Sequence, residues 1–96
     1  MELVSKDQLR RIFADARIEE RAANGELTEI IIYRELPSPQ MNLPDGTMSE
    51  RTRYIDANGQ TVAEAHHYEA ITSRGRQTPR DPKIVVHEGT TYYCDA

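Results

Sequence analysis

The sequence predicts an α+β domain in which one N-terminal amphipathic helix packs on a four- or five-stranded antiparallel sheet. Three observations carry this expectation. Apolar residues recur at helical spacing from Leu9 to Ala16, the period changes to two beyond Leu27, and the later strand-like runs are joined by short turn signals. Parallel pairing would need crossover segments that the chain lacks. The 96 residues, 38% hydrophobic and 29% charged, suffice for a single domain over residues 1–96.

The helix begins at Ser5, because Ser5 and Gln8 have the spacing of a capping box and Val4 and Leu9 flank it as a hydrophobic staple. Leu9, Ile12, Phe13 and Ala16 then form one face, and the helix is expected to run over residues 6–23, stopping at Asn24-Gly25. Residues 28–36 are dense in β-branched side chains and form the first strand. Pro37, Pro39, Pro44 and Asp45-Gly46 make residues 37–49 a long loop. Residues 51–55 and 61–71 flank Asp56-Ala57-Asn58-Gly59 as a hairpin. Residues 72–82 hold two prolines and no apolar period, giving a second exposed loop. Residues 83–87 and 91–94 close the chain as a hairpin around Glu88-Gly89-Thr90. The expected core is Leu9, Ile12, Phe13, Ile30, Ile32, Ile84 and Val86.

The net charge is −4, but it is unevenly spread. Residues 1–71 carry eight bases against thirteen acids, whereas residues 72–83 carry Arg74, Arg76, Arg80 and Lys83 against Asp81 alone. An acidic chain with one basic loop offers few phosphate contacts, so general nucleic-acid binding is disfavoured. The longest apolar run, Ile30 to Tyr33, is far shorter than a bilayer span, and no membrane association is expected. A charged N-terminus and a single cysteine, Cys94, suit a cytoplasmic protein without an internal disulfide.

The residues that could carry chemistry cluster in the central hairpin. His66 and His67 are adjacent, so a regular strand sends them to opposite faces. If Asp56 pairs with Gln60 and the ladder is regular, Tyr54, Val62, Glu64, His66 and Tyr68 share one face. Arg51, Arg53, Ile55, Ala63, Ala65 and His67 then share the other. One reading of these groups is a metal-independent ribonuclease or toxin. In it His66 or His67 moves a proton, Glu64 is its partner, and Arg51 or Arg53 stabilises the phosphorane charge. A solvated sheet face explains the same residues without chemistry.

A metal site would have to be drawn from His66 or His67, His87, Cys94 and Asp95, whose spacing matches no ligand motif, so no metal is expected. Isolated glycines at 25, 46, 59, 75 and 89 form no phosphate-binding loop, and no cofactor is expected. The closing pattern of His66-His67-Tyr68, a polar loop, Asp81-Pro82-Lys83 and a short hairpin resembles small bacterial and phage reading frames over the last third of the chain. That resemblance implies no activity.

The reading the sequence favours is a non-enzymatic interaction module, an inhibitor or accessory protein of a bacterium or phage that occupies a protein or nucleoprotein surface. Its contacts would be Arg74, Arg76, Arg80 and Lys83 of the basic loop, or Glu19 and Glu20 near the helix end. A homodimer through a sheet edge, with the hairpin from Ile84 to Tyr93 as that edge, competes for the same role.

Overall fold

The structure, a computed structural model, describes residues 1–95. In chain order it contains β1 (Glu2–Leu3), α1 (Lys6–Asp15), α2 (Ile18–Ala23), β2 (Thr28–Glu35), a short 3-10 turn (Pro39–Met41), β3 (Thr47–Ile55), β4 (Thr61–Ala70), β5 (Asp81–His87) and β6 (Thr90–Tyr93). The helices pack on a mostly antiparallel six-stranded sheet of order β1-β6-β5-β4-β3-β2. The one parallel pair joins β1 to β6, with Glu2 beside Tyr92 and Leu3 beside Tyr93. Two residues are too few to leave a period in the sequence, which is why this sixth strand was not expected.

The capping box forms as the sequence implies: Ser5 Oγ accepts from Gln8 N at 3.1 Å, and Gln8 Oε1 accepts from Ser5 N at 2.9 Å. The expected single helix over 6–23 is instead two. Arg17 adopts a left-handed conformation, φ 56°, and breaks it. The break has a packing cause. Ile18 lies about 180° around a continuous helix from Leu9, so only a change of direction lets both be fully buried.

Leu9, Phe13, Ala16, Ile18 and Leu27 cover a sheet face made by Tyr54, Ala63, Ala65 and Val85, all in one buried cluster. The rings of Phe13 and Tyr54 meet edge to face at 6.0 Å. The core therefore differs from expectation at four positions. Ile30 is 43% exposed, and Ile32, Ile84 and Val86 are only half-buried. Ile30, Ile84 and Val86 lie off the helix-covered face, Ile32 is the residue that the β2–β3 ladder skips, and Val85, directly opposite Ala63, takes the central place.

Three irregularities decide which face each side chain joins. Ladder partners skip Ile32 in β2, Val62 in β4 and Lys83 in β5. The expected Asp56–Gln60 pairing is present, with Asp56 N donating to Gln60 O at 2.9 Å. The bulge at Val62 then places Tyr54 opposite Ala63 and Arg53 opposite Glu64. Both face sets read from a regular ladder are thereby corrected, because one extra residue exchanges the faces of everything beyond it.

The two long loops dock on each other. Ile71 N donates to Gly46 O, Arg76 N donates to Thr47 Oγ1 at 2.9 Å, and a Cβ on Gly75 would stand 2.2 Å from Gly46 O. Only glycine permits that approach. The hairpin from Ile84 to Tyr93 is not an edge, since β6 is paired on its outer side by β1 and β5 lies inside the sheet. The long free edge is β2.

Candidate functional site

Directly opposed residues of an antiparallel pair share a face. Arg51 opposes His66, Arg53 opposes Glu64, and Ser49 opposes Tyr68, so these six lie together on the face turned away from Tyr54 and the helices. Glu64 sits between two guanidiniums: Arg51 Nε and Arg53 Nε donate to its two carboxylate oxygens, each at 2.9 Å. Among the described residues neither arginine has another ion-pair partner. Both bonds run through Nε, which leaves terminal N–H groups able to meet an oxyanion.

His66 lies two residues along the same face, about 7 Å from Glu64 between Cα atoms. Its Nε2 is 2.7 Å from Ser49 Oγ, and its ring meets Tyr68 edge to face at 4.8 Å. Burial pushes the imidazole below its ordinary pKa, and the positive neighbours Lys83, His67 and Arg51 push the same way against the opposing pull of Asp81. Asp81 itself is held low because Arg10 and Lys83 outweigh its own burial.

His67 takes the helix side, where it meets residues that the sequence did not single out. Its Nε2 stands 3.3 Å from Glu50 Oε1 and 3.0 Å from Glu69 Oε2. Arg34 Nε donates to the other oxygen of Glu50, and Gln77 Nε2 donates to Glu69 at 2.8 Å. His67 and Glu50 are each 2% exposed, whereas Glu69 is 36% exposed at its side chain. Glu69 is held below the usual carboxylate range, first by Gln77 and then by His67.

Glu50, His67 and Glu69 offer three ligand atoms within 4.8 Å of one another, a donor set that suits a divalent cation. Arg34 and Gln77 already satisfy both carboxylates, so the cluster also stands as a closed polar knot without an ion. Of the expected metal candidates, only His67 enters it. His87 instead approaches Glu88 at 3.8 Å, and Cys94 Sγ lies 4.0 Å from Pro82 O. The signal that could have found Glu50 is its place opposite His67, which is invisible until the bulge at Val62 fixes the register.

The basic loop is divided by the fold. Arg74 and Arg76 are exposed, and among the described residues they form no ion pair. Arg80 folds inward, its Nη2 3.4 Å from Glu29, and lines a depression of about 510 Å³ with Glu19, Glu20, Phe13 and Ile18. Lys83 Nζ is 3.5 Å from Asp81, and Glu20 accepts from Arg17 at 2.8 and 2.5 Å.

The chain matches no family model, no curated protein and no solved structure. Among the described residues no helix is long and apolar enough to cross a membrane.

Proposed function

We propose that the protein is a metal-independent ribonuclease acting from its helix-free sheet face. The observation that carries this reading is the bulge at Val62, which gathers Arg51, Arg53, Glu64 and His66 on one face instead of dividing them. These are the parts phosphodiester transesterification requires. The phosphate sits against Arg51 and Arg53. As the ribose 2′-oxygen bonds to phosphorus, its proton passes to Glu64; the P–O5′ bond breaks, and His66 imidazolium gives its proton to the departing 5′-oxygen. The products are a 2′,3′-cyclic phosphate and a 5′-hydroxyl. The Glu50–His67–Glu69 knot on the reverse side fixes the strand that carries His66.

Bulk RNA incubated with the protein in chelator tests this. Chain scission to cyclic-phosphate ends is expected, with a loss of about 10²- to 10⁴-fold in His66→Ala and a comparable loss in Glu64→Gln. No scission by the intact protein, or equal scission by His66→Ala, removes the reading.

A second reading is favoured by Arg74 and Arg76, which are exposed and form no ion pair among the described residues, on a loop that Gly46 and Thr47 hold in place. It is the interaction module, a cytoplasmic inhibitor or accessory protein of bacterial or phage origin, docking an acidic surface on these two cations. Charge reversal at both positions would abolish capture of its partner while leaving RNA scission unchanged.

A further inference from the structure

We propose that two copies of this chain pair antiparallel through β2, joining their sheets into one. The edge offered by β2 is eight residues long, and seven of the eight are exposed. It holds no proline or lysine in Thr28-Glu-Ile-Ile-Ile-Tyr-Arg-Glu35, and the irregularity it does carry, the bulge at Ile32, sets the register of the edge. Ile30, Ile31 and Tyr33 are 43%, 49% and 41% exposed. The opposite edge, β1, has two residues and offers no comparable ladder.

The register follows from the bulge at Ile32. Around a two-fold axis between Ile31 and Ile32, Glu29 meets the second copy's Arg34, Ile30 meets Tyr33, and Ile31 meets Ile32. In a regular strand such partners would point to opposite faces, because their numbers differ by an odd count. The extra residue removes the conflict. Glu29 and Arg34 oppose Tyr54 and Glu50 and so lie on the helix side, whereas Ile30 and Tyr33 oppose Arg53 and Arg51 and so lie on the other side. The Glu29–Arg34 and Ile30–Tyr33 pairs then each agree in face, so two carboxylate–guanidinium pairs form symmetrically on one side, and two isoleucine–tyrosine pairs form on the other. Glu29 and Arg34, which within one chain pair with Arg80 and Glu50, also meet as opposite charges across the axis, and this complementarity in one register selects a second copy as the occupant of the edge.

The geometry gives a test that does not depend on stability. Directly opposed residues have Cα atoms about 4.5–5.5 Å apart, within reach of a disulfide. In a Cys94→Ser background, Ile30→Cys with Tyr33→Cys is expected to oxidise to a covalent dimer, while either cysteine alone is not. Sedimentation of the unaltered protein is expected to show a concentration-dependent dimer, and Ile31→Lys, a change at an exposed position, is expected to abolish it. A protein that sediments as a monomer at every concentration overturns the proposal. So does a dimer that survives Ile31→Lys with no crosslink in the double-cysteine variant, and a dimer lost in Ile31→Lys without that crosslink overturns the register.

Discussion

Replacing His67 by alanine removes the centre of the buried knot. The imidazole Nε2 bridges Glu50 and Glu69 at 3.3 and 3.0 Å, and Glu50, 2% exposed, would keep among the described residues only Arg34, itself 49% exposed, as its partner. Taking one member from a buried charged cluster costs about 3–5 kcal/mol, because the remaining carboxylate stays desolvated. Water reaching Glu69 offsets part of this, so the lower end, about 3 kcal/mol, is expected. For a domain of this size the melting temperature falls by on the order of 10–20 °C. Urea unfolding followed by circular dichroism measures it, and the midpoint should drop while the slope stays constant. A cycle with Glu50→Ala should give a coupling above about 1 kcal/mol. A loss below about 1 kcal/mol in His67→Ala, or additive effects in the cycle, would refute the account of the knot as a stability element.

The pH–rate profile of RNA scission should have its alkaline limb on the acid side of the ordinary imidazole range. In the proposed reaction His66 is the proton donor, and its pKa is lowered first by burial; a rate that instead rises through neutrality would make His66 the base. Replacing His67 removes one positive neighbour of His66, so in folded His67→Ala the same limb should move toward higher pH. Tyr54 is pushed up to about 12 by burial. Its stabilising contribution is complete below the unfolded tyrosine pKa and disappears as pH rises through the folded one, so unfolding free energy should fall between about pH 10 and 12, checked by denaturant melts across that range. Glu88 holds φ 49° beside Gly89 at φ 81° in the two-residue turn between His87 and Thr90. Glu88→Asn should raise stability by about 0.5–1 kcal/mol, since asparagine tolerates the left-handed region and the His87–Glu88 pair it removes is exposed; thermal melting that shows no gain counts against this.

Much of the fold was legible because its signals are local. The Ser5–Gln8 box, the Leu9–Phe13 face, the Asp56–Gln60 turn and the β5–β6 hairpin each depend on residues a few positions apart. What escaped the sequence depends on single extra residues. Nothing in the composition around Val62 announces a bulge, yet it exchanges the faces of Glu64 and His66 relative to Arg51 and Arg53. The break at Arg17 is similar: arginine does not favour left-handed geometry, and the cause lies in the burial of Ile18 against a sheet that local periodicity cannot see. Ile30 and Ile32 misled because β-branched density marks a strand without saying whether that strand is central or at an edge.

The two histidines show how one strand can serve two physical ends. Strand periodicity sends His66 and His67 to opposite sides, and the surroundings of each then differ in what they can do. On the helix side His67 has carboxylates at 3.0 and 3.3 Å from Nε2 and almost no solvent, so that nitrogen is engaged within the protein and a substrate has no route to it. On the other side His66 has a hydroxyl, a phenol ring, Arg51 and Lys83 for neighbours and Asp81 across the ladder, with no carboxylate hydrogen-bonded to its ring among the described residues. A proton donor has to release its proton readily, and a site without a tightly held carboxylate partner favours release. In the proposed ribonuclease reading this asymmetry favours His66 over His67 for proton transfer and leaves His67 as a structural anchor, although nothing but one position in the chain separates them.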